Sequence, residues 1–395
     1  MNLRSFSPLR KICAVFATVL FLPAIAQATQ TGWMRGGNWA DGRDNYVDGW
    51  IIPSGLTASS TTAEAASKAH QIALDIKGIT DSSGRVVRMG INPPSVSDAF
   101  WWARITACVD QLNSDGVDVI LACWESPTAK DGLVDNLADW KTMWQIVQSK
   151  YGSNSHVWFE PFNEPYGYST SSLISLYTDY LSWIGKSPDH IVLDGTGYSE
   201  NVGAIAGSFA TCKFSLHIYP WFGNYTSESS WMSDVVSRIG GYQDRTLITE
   251  MGAPATTGLN FGATANEVNV AFVRGVTEQA RAYAIGICYW PSHRDGDTYR
   301  LFNDTSGGGF TNISLKDRLR YGWNLTDASS SSGGGSTSSG SSGGSSGAGD
   351  AGTKSGGGTL SPWFVTSWLS LIGLRRILRP TRSLIAIDVT PTNPT

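Results

Sequence analysis

Two short apolar segments each lead to a glutamate, and two carboxylates placed in this way can act as an acid and a nucleophile. Residues 156–165 end in Asn163-Glu164-Pro165, and residues 246–252 contain Glu250. Both segments have the composition of buried β-strands and break at proline or glycine. Carboxylates at the ends of two strands can together cleave a glycosidic bond, because one protonates the leaving oxygen and the other attacks the sugar carbon.

Three further residues are expected to support these glutamates. Asn163 directly precedes Glu164 and can hydrogen-bond a sugar hydroxyl beside the reacting carbon. Arg88 lies in an otherwise apolar run over residues 86–90, and a buried arginine needs a carboxylate partner. Glu160 lies inside the predicted strand that leads to Glu164, so we expect it to support the site rather than to react.

Eight short apolar runs alternate with eight helix-like segments, a pattern that predicts a parallel sheet in the α/β class. The predicted strands are residues 34–38, 86–91, 117–122, 157–162, 191–194, 214–218, 247–249 and 285–289. The predicted helices lie near residues 62–76, 99–113, 133–149, 171–185, 201–207, 231–239, 266–282 and 315–321. Eight of each make a single (β/α)8 TIM barrel, in which the active site forms where the strands end.

The order of these motifs resembles glycoside hydrolase family 5, the cellulase family of the retaining (β/α)8 clan A. The resemblance rests on Asn163-Glu164-Pro165, then His217-Ile218-Tyr219, then Glu250 after an apolar strand and Trp290 after the next one. It covers roughly residues 31–325. It implies that Glu164 is the general acid/base and Glu250 the nucleophile, with no metal or organic cofactor.

The resemblance also implies roles for the residues around the two glutamates. Arg88 is expected against Glu250, His217 beside the sugar, the Tyr219 hydroxyl on the nucleophile, and Trp290 as a platform for the sugar before the cleaved bond. Burial is expected to raise the pKa of Glu164, and hydrogen-bond donors to lower that of Glu250. A retaining mechanism predicts that the two carboxyl groups lie about 5–5.5 Å apart.

One position departs from the family pattern. Where the family usually carries a histidine that contacts the sugar, residues 122–127 read Ala-Cys-Trp-Glu-Ser-Pro. Trp124 or Glu125 therefore takes its place, which leaves the substrate preference open and suggests a divergent subfamily. Aromatic faces also bind sugars, and the further platform candidates are Trp39, Trp101, Trp102 and Trp221.

The beginning of the chain predicts export. Arg4, Arg10 and Lys11 precede an apolar run over residues 14–26, and Ala26-Gln27-Ala28 is a small-x-small cleavage site. Residues 1–28 therefore have the pattern of a secretory signal peptide, since the run is too short for a membrane span. Residues 29–327 are then the catalytic domain, and the Ser/Gly-rich residues 328–358 are a flexible linker.

The end of the chain admits two interpretations. Residues 359–379 contain an apolar stretch followed by Arg375-Arg376, and residues 380–395 form a tail. This arrangement resembles the Gly-Gly type of bacterial C-terminal sorting signal, which would deliver the protein to the cell surface or outside and bring transient membrane contact. The apolar stretch is short of the roughly 20 residues that span a bilayer, so an amphipathic disordered tail is the alternative.

Charge and cysteine content limit which partners and crosslinks are expected for this protein. The net charge is −4 and no basic run occurs, so nucleic acid is not an expected partner. Export would permit disulfides, but three of the four cysteines outside the signal lie in or beside predicted strands, so we expect mostly free thiols. These four are Cys108, Cys123, Cys212 and Cys288.

The sequence thus predicts a secreted, monomeric endo-β-1,4-glucanase that hydrolyses a β-glucan polysaccharide or oligosaccharide. An endo-β-1,4-mannanase, or a β-glucanase with another linkage preference, is the alternative within the same chemistry. A catalytically inert, carbohydrate-binding surface barrel is the alternative from another class. The intact set of Arg88, Asn163, Glu164, Tyr219 and Glu250 argues against the inert barrel.

Overall fold

Eight parallel strands form a barrel in the computed structural model, which describes residues 30–43, 48–81, 84–124 and 131–326. The strands are β1 (Arg35–Trp39), β2 (Arg85–Ile91), β3 (Asp118–Cys123), β4 (Val157–Glu160), β5 (Val192–Asp194), β6 (Lys213–Ile218), β7 (Thr246–Met251) and β8 (Gly286–His293). Their order is β4-β3-β2-β1-β8-β7-β6-β5. A single parallel bridge between Phe159 and Ile191 joins the two ends of this sheet. The predicted (β/α)8 barrel is confirmed.

Helices connect the strands on the outside of the barrel. In the described ranges they are α1 (Thr62–Thr80), α2 (Pro93–Ser97), α3 (Ala99–Ser114), α4 (Leu137–Tyr151), α5 (Thr170–Trp183), α6 (Thr196–Ser199), α7 (Glu228–Ile239), α8 (Val268–Tyr283) and α9 (Ile313–Gly322). Most begin where a polar side chain caps the first backbone N–H groups. Thr61, for example, forms a reciprocal capping box with Glu64 at the start of α1.

The predicted helix at residues 201–207 is wrong. The segment between β5 and β6 instead contains the single turn α6 and a 3₁₀ turn at Ala206–Ser208. Gly203 and Gly207 lie inside the predicted helix, and glycine costs about 1 kcal/mol relative to alanine in a helix interior. The apolar residues of this stretch still pack inward, since Val202 and Ile205 are buried.

Alternation along the strands builds two layers inside the barrel. One layer is apolar and contains side chains from seven of the strand regions. Two residues further along three of the strands, where a side chain points to the same face, the inward residue is charged. These apolar and charged pairs are Val86 and Arg88 in β2, Trp158 and Glu160 in β4, and Val192 and Asp194 in β5. The apolar layer therefore forms the floor of a polar site at the carboxyl ends of the strands.

Predictions about the two ends of the chain fall outside the described residues. These are the signal peptide at residues 1–28 and the linker, sorting segment and tail after residue 327. None of the helices in the described ranges is both long enough and apolar enough to cross a membrane. The prediction of mostly free thiols is confirmed, because Cys108, Cys212 and Cys288 are buried and form no disulfide.

Candidate active site

Arg88 is the centre of the polar site and binds residues from three other strand ends. Its Nη1 donates to Oε1 of Glu250 at 2.6 Å and to Oδ1 of Asn38 at 3.0 Å. Its Nη2 donates to Oδ1 of Asn163 at 2.6 Å, and its Nε donates to Oε2 of Glu160 at 2.7 Å. A second bond from Nη2 to Glu160 makes that pair bidentate. The sequence required one carboxylate partner for Arg88, and the structure provides two, Glu160 and Glu250.

Glu250 points into the site because β7 carries a bulge. The pairing of β6 with β7 shifts between Leu216 and His217, so that one extra residue of β7 is accommodated. A bulge of this kind re-aims the following side chain. As a result, Thr249 reaches the Ser215 hydroxyl while Glu250, its neighbour, also faces the interior and contacts Arg88.

Two donors hold the buried Glu250 carboxylate. Arg88 binds Oε1, and the Tyr219 hydroxyl donates to Oε2 at 2.7 Å. The expectation that donors hold the pKa of Glu250 down is wrong in its net direction. Burial raises the pKa of this carboxyl above its ordinary value, although His217, Arg88 and Tyr219 act to lower it. Arg88 and Tyr219 thus offset the desolvation penalty only in part.

Glu164 lies in the turn after β4 with a left-handed backbone. Its φ is +51°, a conformation that costs a non-glycine residue on the order of 1 kcal/mol or more. The backbone N–H donates to Oδ1 of Asp194 at 3.3 Å. Its side chain is 15% exposed, and Oε1 lies 3.0 Å from Nδ1 of His217. A substrate can therefore reach the Glu164 side chain, while its backbone N–H is held by the buried Asp194.

The two glutamates converge on His217. Nδ1 of His217 lies 3.0 Å from Glu164 Oε1 and 3.6 Å from Glu250 Oε2. One oxygen of each carboxylate lies within 4.8 Å of the other. Burial lowers the pKa of His217 to about 4, so the imidazole is neutral near pH 7, and only Glu164 is within hydrogen-bond distance of Nδ1 in this structure.

Asp194 is a member of the site that the sequence analysis did not identify. It ends β5, is fully buried, and lies with Glu160 and His217 in a group whose polar atoms are within 4.8 Å of one another. Burial, together with Glu160, raises its pKa well above the usual range. The sequence contained the signal, because an acid follows two apolar residues in Val192-Leu193-Asp194, as Glu160 does in β4.

Aromatic rings line one side of the site. Trp290 is partly buried and stacks on Trp124, with ring centroids 5.4 Å apart and planes inclined by 17°. The Arg88 guanidinium lies 5.6 Å from the Trp124 ring. Trp124 thus lies within the site, at the position where the family pattern has histidine, whereas Glu125 lies outside the described residues.

The other tryptophan candidates differ in exposure. Trp221 is 39% exposed and its ring centroid lies 4.4 Å from that of Tyr219, so it is open to a ligand beside Tyr219. Trp39 and Trp101 are each 1% exposed, so the prediction that they are sugar platforms is wrong. Their rings are covered by the rest of the protein and cannot stack on a ligand. Trp102 packs edge-on against Tyr151 of α4.

The acidic groups of the site raise the question of a bound cation. Among the described residues, two sets of side chains converge closely enough to hold an ion. These are Glu160, Asp194 and His217, and Glu164, His217 and Glu250. Arg88 already binds Glu160 and Glu250, and its guanidinium supplies the positive charge that a metal would bring. We therefore assign no metal site here.

Comparisons with known proteins agree with this geometry. The family model described as cellulase, glycosyl hydrolase family 5, matches residues 68–296. A xyloglucanase from Paenibacillus pabuli superimposes with a TM-score of 0.53 at 18% identity, over 74% of this chain and 99% of that one. An endocellulase from Pyrococcus horikoshii, in complex with cellotetraose, gives a TM-score of 0.50 at 13% identity, over 65% and 86% of the two chains.

The structural likenesses establish the fold, and the family model adds the sequence relationship. No curated protein gave a sequence match. The family model spans more than half of the 395 residues and includes Arg88, both candidate catalytic glutamates and Trp290. The chain therefore belongs to glycosyl hydrolase family 5, the cellulase family.

Proposed function

We propose that the protein is a secreted endo-β-1,4-glucanase that works by retaining double displacement. The observation that carries the proposal is the pair of Glu164 and Glu250, with one oxygen of each within 4.8 Å of the other. Retaining enzymes place their carboxyl groups about 5–5.5 Å apart, whereas inverting enzymes leave roughly 6.5–9.5 Å for a water molecule. The spacing favours direct attack by a carboxylate.

In the first step, Glu250 attacks the anomeric carbon and Glu164 protonates the leaving oxygen. Arg88 and Tyr219 bind the two oxygens of Glu250, so they orient the nucleophile and favour its ionised form. The Glu164 side chain is 15% exposed, so a substrate can reach it to receive the proton. The bond from Glu250 to the sugar forms as the glycosidic bond breaks, and the leaving sugar keeps the proton.

In the second step, Glu164 acts as a base toward water. The water loses its proton to Glu164 and attacks the anomeric carbon, which releases Glu250 as a carboxylate. Neutral His217 lies 3.0 Å from Glu164 and 3.6 Å from Glu250. It can therefore hydrogen-bond to the site in both steps without adding charge.

The choice of a β-1,4-glucan rests on the relatives and on the aromatic rings. The structural neighbours include an endocellulase in complex with cellotetraose and a xyloglucanase. Trp290 beside the site and the exposed Trp221 offer flat faces, and the axial C–H face of β-glucose packs well on such rings. Export follows from the signal pattern in residues 1–28, and recovery of the processed chain from the medium would test it.

One observation favours β-1,4-mannan as a second candidate. Trp124 stands where the family pattern has a sugar-contacting histidine, and its ring stacks on Trp290. A site that lacks that imidazole loses a hydrogen-bonding group beside the sugar, and such a group discriminates between hydroxyl orientations. Mannose differs from glucose only in the orientation of the 2-hydroxyl.

Release of reducing ends by the purified chain tests these proposals. The panel comprises a soluble cellulose derivative, barley β-glucan, glucomannan, galactomannan and laminarin, with Glu250→Ala as the blank. Hydrolysis of the glucans that disappears in the variant supports the glucanase. Activity on galactomannan alone supports the mannanase. Binding without hydrolysis on every polymer would contradict both and support an inert barrel.

A further inference from the structure

Asp194 is buried beneath Glu164, and one of its oxygens faces another carboxyl group. Its Oδ1 accepts the backbone N–H of Glu164 at 3.3 Å and lies 3.4 Å from the Ser215 hydroxyl. Among the described residues, no N–H or O–H donor reaches Oδ2. The nearest acidic neighbour is Glu160, which is also fully buried and has an oxygen within 4.8 Å of an oxygen of Asp194. Two ionised carboxylates this close together repel each other in a buried site, and Oδ2 of Asp194 has no donor, so we expect one of the two groups to carry a proton.

The partners of Glu160 indicate which residue carries that proton. Both Glu160 oxygens accept from Arg88 in a bidentate pair, with Nε to Oε2 at 2.7 Å. Such a pair is the strong, charge-assisted form and stabilises the carboxylate. The Arg88 N–H groups bind Glu160, Glu250 and two asparagines. The proton therefore belongs on Asp194.

We propose that Asp194 carries a proton at the pH at which the enzyme works and is a positioning residue for Glu164. Its acid O–H donates to Glu160, and its other oxygen accepts the Glu164 backbone N–H. In this way the Arg88–Glu160 pair is linked to the left-handed turn that holds Glu164. The role in catalysis rests on the function proposed above.

The charges around Asp194 agree with a neutral acid. The titratable groups that face it are Glu160 of β4, Arg88 of β2, His217 of β6, Tyr177 of α5 and Glu164. Burial and Glu160 raise the pKa of Asp194, whereas Arg88 acts to lower it. His217 is neutral near pH 7, and its Nε2 lies 3.8 Å from Asp194 Oδ1, too far for a hydrogen bond.

A neutral Asp194 would serve the second step of the reaction. There Glu164 has to exist as a carboxylate in order to accept a proton from water. An ionised Asp194 directly below it would oppose that state by like-charge repulsion. A protonated Asp194 fixes the turn through the same backbone hydrogen bond but adds no negative charge.

Infrared spectroscopy of the full chain tests the proton without any substrate. In a Glu164→Gln background at neutral pH, we expect a carboxylic acid C=O band that shifts when aspartate is labelled with ¹³C. The band should disappear in Asp194→Asn. If no ¹³C-sensitive acid band is present in the labelled protein, Asp194 is ionised and the proposal is overturned. The labelled protein needs no change at Asp194, so misfolding of that variant cannot hide the answer.

Kinetics of matched variants test the positioning role. Asp194→Asn imitates the neutral acid, because its NH₂ can donate to Glu160 and its oxygen can accept the Glu164 N–H. We expect Asp194→Ala to lower kcat by about tenfold or more, the cost of one backbone hydrogen bond to a strained turn. Asparagine should recover most of that loss and leave the alkaline limb of the kcat/KM profile within half a pH unit, roughly, of wild type.

Glu160→Gln is the matched control, because it neutralises the other end of the same hydrogen bond. It removes an anion that Arg88 binds, so we expect a larger loss of kcat than for Asp194→Asn. The reverse order, or an alkaline limb shifted down by a pH unit or more in Asp194→Asn, would place the charge on Asp194 and overturn the proposal. If the wild type hydrolyses no polymer, the proposed function fails, while the infrared result still decides the proton.

Discussion

Glu250 and Glu164 are the same amino acid in two different settings. Glu250 lies within β7 and has a donor on each oxygen, Arg88 and Tyr219. Glu164 lies in a left-handed turn after β4, is 15% exposed, and has neutral His217 beside its carboxyl group. The Glu250 carboxylate thus contacts a cation and a hydroxyl donor, whereas the Glu164 carboxyl group contacts a neutral imidazole and its backbone N–H donates to Asp194.

This difference explains how one residue type can do two tasks. A nucleophile has to stay ionised and aligned, so it benefits from fixed donors. An acid/base has to hold a proton in one step and lose it in the next, so a permanent cation beside it would hinder catalysis. Arg88 contacts Glu250 and Glu160, and the structure places the neutral His217 between Glu250 and Glu164.

Glu250→Ala should give the largest effect. We expect kcat to fall on the order of 10⁴- to 10⁶-fold, the range seen when a nucleophile or its base is removed from other enzymes. Added azide should occupy the space left by the carboxylate and release a product of the opposite anomeric form, which NMR would detect. Substantial activity without azide would contradict the nucleophile assignment.

Glu164→Ala should give a smaller effect that depends on the leaving group. General acid catalysis contributes about 10²- to 10⁴-fold, and this share is needed only when the leaving group is a poor one. We expect that loss on glucan but a much smaller one on activated aryl glycosides, as measured by kcat/KM on both. Equal losses of kcat/KM on the two substrates would contradict the role of Glu164 as the general acid and leave the two glutamates without distinct roles.

Tyr219→Phe should remove one of the two donors that hold the Glu250 carboxylate without removing the nucleophile itself. A hydrogen bond to a charged group contributes about 1.5–3 kcal/mol, so we expect kcat/KM to fall about 10- to 100-fold. The Tyr219 hydroxyl acts to lower the pKa of Glu250, so its loss should raise that pKa and move the acidic limb of the profile to higher pH.

Tyr225→Phe is the control, since Tyr225 lies in the same loop and is 38% exposed. It should leave the acidic limb in place. An unshifted limb in Tyr219→Phe as well would mean that the hydroxyl does not influence the ionisation of Glu250.

The sequence was sufficient for the barrel, because strand periodicity and composition are local signals. Most residues of the site came instead from the order of motifs that resembles glycoside hydrolase family 5. Three features depend on neighbours far along the chain. The β7 bulge appears only when Glu250 is paired with His217 of β6, and the stack of Trp124 on Trp290 joins β3 to β8. The role of Asp194 depends on Glu160, since an isolated strand-end acid would be expected to be ionised.

The stability of Asp194→Asn, rather than its activity, reports on the Glu164 side of the comparison. The pKa of Asp194 is raised by burial and Glu160 in the folded chain, whereas an unfolded aspartate has a pKa near 3.9. Above about pH 4 the unfolded chain therefore binds fewer protons than the folded one, and the stability that Asp194 contributes is lost as pH rises toward its folded pKa. Asparagine removes this loss. The free energy of unfolding of Asp194→Asn, relative to that of wild type, should therefore increase by up to about 1.4 kcal/mol per pH unit.

Denaturant unfolding from about pH 4 to 7 measures this difference. The control is Asp317→Asn, at an aspartate whose side chain is 62% exposed, and it should show no comparable trend. If the difference in unfolding free energy between Asp194→Asn and wild type narrows as pH rises, Asp194 is stabilised as an anion. Glu164 would then lie above a charged group, just as Glu250 lies beside the charged Arg88.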